Sequence, residues 1–187
     1  MRIASGIYGG RSIKTCEGPG YRPATGKVRQ AVFSMLEARG LTWEGARVLD
    51  VFAGSGSLAI EALSRGADTA WFLEMAAKAA RLIRENLNSL GVPPGRHKVL
   101  PKDALTVLRR PPDLPFDLVF VDPPYGKDLF LPALTALLEH SWLGQGAFVL
   151  AEVEAELKLD TKVLPPTLEL LTDRMYGQTR ILLWKKV

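Results

Sequence analysis

The sequence has little cysteine and histidine, with one cysteine, Cys16, and two histidines among 187 residues. A lone cysteine cannot form an intramolecular disulfide, and these three side chains show none of the spacings typical of zinc sites. No apolar run approaches the ~18 residues of a membrane span, and the first residues lack the apolar core of a secretory signal. We therefore exclude a disulfide scaffold and a structural zinc site, expect no bound metal and no membrane partner, and expect a cytoplasmic protein.

Charge is distributed unevenly along the chain. The formal net charge is +4, but the first 40 residues carry seven basic and two acidic residues, a net charge of +5, and the remainder carries −1. Such asymmetry is typical of a segment that faces a polyanion. A solvated basic surface without a partner would give the same count, so charge alone does not decide between the two.

The remaining composition and pattern predict an α/β fold. Hydrophobic residues make up 47% of the chain and charged residues 24%, as is typical of globular proteins. At ~150 residues per domain, a length of 187 residues allows one domain with a modest appendage. From residue 47 onward, short apolar runs alternate with helical patterns, which indicates a parallel sheet covered by helices. The predicted strands are 47–51, 69–73, 98–100, 116–122, 146–153, 164–174 and 178–185, and the predicted helices are 58–65, 76–90 and 129–140.

The amino-terminal part follows a different pattern. Two short segments flank a turn-rich stretch, residues 6–10, and predict a small hairpin that carries basic side chains. Thr25 can cap a helix whose apolar positions recur at helical spacing. We therefore divide the chain into an extension, residues 1–24, and a main domain, residues 25–187.

A glycine-rich segment follows the first predicted strand and indicates a nucleoside-type ligand. It reads Asp50-Val51-Phe52-Ala53-Gly54-Ser55-Gly56, and glycines let the backbone approach a ligand at the amide-rich start of the next helix. Glu74 stands 20 residues after Gly54, where a carboxylate can bind ribose hydroxyls. This motif alone fits a nicotinamide cofactor as well, but Asp50 favours S-adenosylmethionine, whose ammonium and sulfonium charges suit an acidic pocket.

A second motif, Asp122-Pro123-Pro124-Tyr125, follows the strand at 116–121 and indicates transfer to an aromatic amine. An amine on a heteroaromatic ring is a poor nucleophile until acceptors hold its two hydrogens, and the Asp122 carboxylate and the Pro123 carbonyl can do so at about 3 Å. Tyr125 can stack on the ring that carries the amine. A nicotinamide-dependent dehydrogenase would leave this second motif unexplained.

Together these residues resemble the class I S-adenosylmethionine methyltransferases that modify base amines. The segments 22–33, 52–56 and 176–179 are similar to the RsmD family of 16S ribosomal RNA guanine-N2 methyltransferases, and the resemblance covers nearly the whole chain. It implies a Rossmann-like, mixed seven-stranded sheet flanked by helices, with the hairpin as an extension. It also implies methyl transfer from S-adenosylmethionine, leaving S-adenosylhomocysteine, to a guanine N2 amine of 16S ribosomal RNA within an assembling or assembled small subunit, by a monomer.

The resemblance also implies roles for individual residues. Glu74 should hold the ribose, Met75 should pack on the adenine, and Asp103 with Ala104 should meet the adenine edge, although Asp103 can instead cap a helix. Tyr8 and Tyr21 are the aromatic residues to test for RNA contact. The expected catalytic residues are Asp122, Pro123, Pro124 and Tyr125. The expected cofactor contacts are Arg22, Pro23, Thr25, Asp50, Phe52, Ala53, Gly54, Ser55, Gly56, Glu74, Met75, Asp103, Ala104 and Asp122. The expected RNA contacts are Arg2, Arg11, Lys14, Arg22 and Lys27.

Two alternatives to this function stay open at the level of sequence. A DNA or RNA adenine-N6 methyltransferase uses the same Asp-Pro-Pro-Tyr chemistry, and only the small basic hairpin favours structured RNA. A non-catalytic RNA-binding assembly factor could be built on the same scaffold, but it would be expected to show a damaged cofactor site. No such damage is visible in the sequence.

Overall fold

The fold is built on one seven-stranded sheet. The computed structural model describes residues 1–16, 26–157, 159 and 164–187, except for the Lys27 side chain. The strands are β1 (Arg47–Val51), β2 (Thr69–Leu73), β3 (His97–Leu100), β4 (Phe116–Val121), β5 (Leu143–Glu154), β6 (Leu168–Tyr176) and β7 (Thr179–Lys186). Their order is β3-β2-β1-β4-β5-β7-β6, and β7 is antiparallel to both of its neighbours. The predicted mixed, Rossmann-like sheet is confirmed.

Helices cover both faces of the sheet. They are α1 (Gly26–Ala38), α2 (Ser57–Arg65), α3 (Ala77–Leu90), α4 (Ala104–Leu108) and α5 (Phe130–Glu139), with a short 3₁₀ helix at Pro94–Arg96. Because side chains alternate along a strand, each strand contributes to two cores. The core beneath α1, α2 and α3 includes Phe33 and Phe120, and the core beneath α4 and α5 includes Phe116 stacked on Trp142. None of the helices in these described ranges is long and apolar enough to cross a membrane.

Element boundaries differ from the predicted ones mainly around β5 and β6. The β5 strand begins three residues earlier than predicted, because Leu143 pairs with Phe116 across a register shift. The β6 strand begins at Leu168 rather than at 164. Pro165 and Pro166 have no amide hydrogens for the ladder, and the Pro165 carbonyl instead accepts a hydrogen bond from the Leu168 amide at 3.0 Å.

The amino-terminal segment packs onto the same core as the sheet. It forms the expected hairpin, but with a single bridge, between Arg2 and Ser12, rather than two full strands. Tyr8, one of the two tyrosines chosen for a test of RNA contact, is only 8% exposed and belongs to the core. Glu61 of α2 accepts hydrogen bonds from the amides of Ala4 and Ser5 at 2.7 and 3.0 Å. The proposed domain boundary, between residues 24 and 25, and Tyr21 lie outside the described residues.

Candidate functional site

A cleft of about 590 Å³ opens at the carboxyl ends of β1, β2, β4 and β5. Its volume lies in the usual range for small-molecule sites, ~300 to 1,000 Å³. Both sequence motifs meet there, because parallel strands end at the same edge of a sheet. The predicted residues that line the cleft are Asp50, Phe52, Ala53, Gly54, Ser55, Glu74, Met75, Asp103, Ala104, Asp122, Pro123, Pro124 and Tyr125.

The loop after β1 turns through the left-handed region of backbone conformation, and Phe52 is its one non-glycine residue there. Phe52, Gly54 and Gly56 have φ angles of 66°, 55° and 75°, in the left-handed region that favours glycine. Gly56 does not line the cleft, and a Cβ atom there would lie 3.1 Å from Phe72 and from Ile83. Packing of the loop on the core therefore explains Gly56, whereas Gly54 faces the cleft.

Asp50 lies beneath this loop and caps α2 from outside the helix. Its Oδ2 accepts a hydrogen bond from the Ala59 amide at 3.3 Å, in the first turn of α2. Burial raises the pKa of Asp50 well above its ordinary value, and the Ala59 amide opposes that rise. In dinucleotide sites the start of this helix receives a pyrophosphate. In this protein the Asp50 carboxylate already accepts a hydrogen bond from the first turn of α2, and this disfavours an anionic ligand at that helix start.

Glu74 joins the loops that follow β1 and β2. Its Oε2 accepts a hydrogen bond from the Gly54 amide at 2.8 Å, and its Oε1 accepts one from the Ala76 amide at 2.7 Å. A carboxylate has about four acceptor positions, so these two bonds leave positions for ribose hydroxyls. The neighbouring Met75 is 70% exposed at the cleft and offers an apolar surface.

Asp103 caps a helix, which is the alternative role that the sequence allowed for it. Its Oδ1 accepts a hydrogen bond from the Thr106 amide at 2.7 Å and caps α4. Asp103 and Ala104 nevertheless both line the cleft. Capping therefore holds this carboxylate at the wall of the cleft, where a second acceptor position can face a ligand.

The Asp122–Tyr125 loop forms another part of the cleft wall. Burial raises the pKa of Asp122 well above its ordinary value, and the negative charges of Glu152 and Asp50 raise it further. The Tyr125 ring is 43% exposed, and its hydroxyl lies 3.0 Å from Oγ1 of Thr179. The loop thus places a carboxylate and an accessible aromatic ring in one cleft.

Glu152 is a site residue that the sequence analysis missed. The register pairs Val121 of β4 with Ala151 of β5, so Asp122 and Glu152 occupy neighbouring positions. Glu152 is only 8% exposed and lines the cleft, and burial raises its pKa. Its signal in the sequence is a glutamate within the otherwise apolar run 146–153.

Arg29 of α1 was also missed as a cleft residue. It is 5% exposed and lines the cleft, and one guanidinium nitrogen donates to the Arg2 carbonyl at 3.0 Å. Burial lowers its pKa, and the charge of Glu61 opposes that change. Its position at helical spacing among apolar residues is the signal that could have identified it.

The predicted RNA contacts fall into distinct groups. Arg2 is exposed, and Lys14 forms an exposed ion pair with Glu85. The Arg11 guanidinium donates to the carbonyls of Leu90, at 2.9 Å, and Ser89, at the end of α3. Arg22 and the Lys27 side chain lie outside the described residues, as do Pro23 and Thr25, which were predicted as cofactor contacts.

The charge balance of the cleft fits a cationic ligand. The described lining residues include five carboxylates, Asp50, Glu74, Asp103, Asp122 and Glu152, and one guanidinium, Arg29. S-adenosylmethionine carries a sulfonium, an ammonium and one carboxylate, and therefore has a net positive charge. The described residues contain no cluster suited to a metal ion. The site can accept a cationic nucleoside and can place a carboxylate and an aromatic ring beside it.

Comparison with known proteins finds the same architecture in relatives that span nearly the whole chain. The family model described as conserved hypothetical protein 95 matches residues 1–185. The ribosomal RNA small subunit methyltransferase D of Haemophilus influenzae is 34% identical, over 95% of this chain and 89% of its own. The protein of the same name from Escherichia coli K12 is 33% identical, over 100% and 90%. The solved structure of YhhF from Escherichia coli, described as a candidate methyltransferase, has a TM-score of 0.86 at 32% identity and covers 100% of this chain and 97% of its own.

Proposed function

The chain belongs to the conserved hypothetical protein 95 family, the RsmD family, and from that membership we propose that it is a ribosomal RNA methyltransferase. We propose further that it transfers a methyl group from S-adenosylmethionine to the N2 amine of a guanine in 16S ribosomal RNA, in the context of the small ribosomal subunit. The relatives named ribosomal RNA small subunit methyltransferase D support the substrate class.

One observation carries the proposal: the Asp122–Tyr125 loop lines the same cleft as the glycine-rich loop and the acidic residues Asp50 and Glu74. Glu74 would hold the ribose, and Asp50, Asp122 and Glu152 would favour the cationic end of the cofactor. When bound, that cofactor supplies an activated methyl group on a sulfonium. The chain then has to orient the acceptor amine, because most of the rate comes from positioning when the donor is already activated.

The acceptor amine is oriented by two groups of the second motif. The Asp122 carboxylate and the Pro123 carbonyl accept its hydrogens, so that its lone pair points at the methyl group. Tyr125 stacks on the base and fixes its plane. A base within a folded RNA has to turn out of its stack to reach this cleft. Methyl transfer is a single displacement that requires no covalent enzyme intermediate, which leaves Cys16 without a catalytic role.

The test is transfer of a labelled methyl group from S-adenosylmethionine to unmodified 16S ribosomal RNA, small ribosomal subunits and DNA in parallel, followed by nucleoside analysis. We expect N2-methylguanosine from the ribosomal substrates. The Asp122→Ala variant should lose most turnover and keep its affinity for the cofactor, since its partner is the substrate amine. N6-methyladenine as the product would support the adenine alternative. RNA binding without any transfer would support the assembly-factor alternative.

A further inference from the structure

The segment Tyr176–Thr179 has no role in the reaction described above, although it is one of the motifs that identify the family. It forms the turn between β6 and β7, and Thr179 is the first residue of β7. The register pairs Thr179 with Tyr176 and with Glu154 of β5. This turn therefore reaches the carboxyl end of β5, next to the cleft.

Thr179 contacts the second motif directly. Its Oγ1 lies 3.0 Å from the Tyr125 hydroxyl, and the neighbouring Thr179 hydroxyl also lowers the pKa of the Glu152 carboxyl group, against the larger rise caused by burial. A threonine hydroxyl has one hydrogen to donate, and an ionised carboxylate only accepts. When Glu152 is ionised, Thr179 can donate to it only by accepting from Tyr125, so the three side chains would then form a chain of hydrogen bonds with one direction.

The same end of the sheet also holds the backbone of the second motif. The amide of Gly126, directly after Tyr125, donates to Oε1 of Glu154. The Ala155 amide donates to the Gln178 carbonyl at 3.0 Å. The loop that carries Tyr125 is thus attached to β5 through its backbone and to β7 through its aromatic side chain.

This attachment matters because an exposed aromatic side chain would otherwise be free to rotate. Tyr125 is 43% exposed at the cleft, so packing alone leaves part of its ring unconstrained. A ring already held in its working orientation loses less conformational freedom when a base stacks on it. The bond to Thr179 provides that restraint at the hydroxyl, at the edge of the ring.

We propose that Thr179 is a positioning residue for methyl transfer, acting through the Tyr125 hydroxyl and oriented in turn by Glu152. The proposal rests on the proposed function, because it assigns Tyr125 to the target base. Thr179 itself does not line the cleft, but Tyr125 and Glu152, which it neighbours, both do, and the proposed route is through Tyr125.

The experiment is a double-mutant cycle with Thr179→Val, Tyr125→Phe and the double variant, plus Thr179→Ser as the conservative replacement. We expect Thr179→Val to lower kcat/KM for the RNA about fivefold, mainly through KM, as expected for one lost hydrogen bond. Cofactor affinity should not change. Thr179→Ser should restore most of the loss, and Thr179→Val should have no further effect in the Tyr125→Phe background.

A matched control and a second readout separate the possible outcomes. Thr172→Val makes the same change within β6, away from the cleft, and should leave kcat/KM unchanged. The ring resonances of Tyr125 in protein labelled with ¹³C-tyrosine should move in Thr179→Val and return in Thr179→Ser. Additive effects in the cycle, or an active Thr179→Val with wild-type KM, would overturn the positioning role alone. Absence of transfer by the wild-type protein would overturn the proposed function, and this proposal with it.

Discussion

At the scale of single residues, the Glu74 carboxylate has a structural role and a proposed role in binding the cofactor. It accepts hydrogen bonds from the amides of Gly54 and Ala76, and it lines the cleft in which we propose that the ribose binds. We expect Glu74→Ala to weaken S-adenosylmethionine binding by about 1 to 3 kcal/mol, the usual loss for hydrogen bonds that involve a charged group. Calorimetric titration measures the change. Glu44→Ala, an exposed glutamate outside the cleft, is the control, and equal affinities of the two variants would contradict the assignment.

A second prediction at this scale concerns the pH dependence of turnover. Burial and the charge of Glu152 raise the pKa of Asp122. In the proposed reaction the ionised carboxylate is a stronger acceptor than the protonated acid for the hydrogens of the substrate amine. Turnover should therefore fall as the pH drops through this raised pKa, at a higher pH than for an ordinary aspartate. Glu152→Gln removes a neighbouring negative charge and lowers the pKa of Asp122, so the acidic limb should move to lower pH.

The measurement is kcat against pH under saturating RNA and cofactor. Glu156→Gln is the matched control, because Glu156 is exposed just beyond β5 and does not line the cleft. Its acidic limb should coincide with that of the wild-type protein. An unchanged limb in Glu152→Gln would show that Glu152 does not set the pKa of Asp122.

At the scale of elements, the basic residues of the amino-terminal hairpin are exposed but differ in their contacts. Arg11 donates to carbonyls at the end of α3, Lys14 forms an exposed ion pair with Glu85 of α3, and Arg2 is exposed. If Arg2 and Lys14 both contact RNA phosphates, Arg2→Gln with Lys14→Gln should flatten the slope of log affinity against log salt by about 1.4 to 1.8. Cofactor affinity should stay at the wild-type value, since neither side chain lines the cleft.

RNA binding measured across a salt series tests this prediction. Arg109→Gln with Arg110→Gln removes the same charge from exposed positions after α4 and serves as the matched control. Arg11 is left unchanged, because its replacement would also loosen the hairpin from α3. Equal slopes for the two double variants would mean that the basic hairpin is a solvated surface.

At the scale of the whole molecule, we expect the buried acidic groups of the cleft to lower the free energy of unfolding as the pH rises. Glu152 has a raised pKa in the folded protein, so the folded state retains a proton that the unfolded state releases as the pH rises. Its contribution to stability is therefore present below the ordinary glutamate pKa and is lost as the pH rises through the raised value. We expect Glu152→Gln to be more stable than the wild-type protein by about 1 kcal/mol above neutral pH, a typical gain for relieving strain at a functional site.

Urea denaturation at about pH 8 and about pH 4 measures this difference. At the lower pH the glutamate is protonated in the folded state, and the two proteins should have similar unfolding free energies. Glu44→Gln, at an exposed position, should follow the wild-type protein at both values. A gain that is the same at both pH values would show that charge is not its origin.

The sequence by itself determined the order and type of most elements and both motifs. Strand β1, strand β2 and the Asp122–Tyr125 loop could be predicted because apolar periodicity and proline or glycine boundaries are local signals. The two loops could be assigned to one edge because parallel strands end together.

Tertiary structure alone decided which distant groups act together. Glu152 joins Asp122 only through the register of β4 and β5, and Thr179 reaches Tyr125 only because β7 turns back beside β5. The burial of Tyr8 and the use of Arg11 at the end of α3 likewise depend on how the hairpin docks. Such pairings join residues tens of positions apart, and no local pattern of polarity encodes them, because they arise from the packing of whole elements.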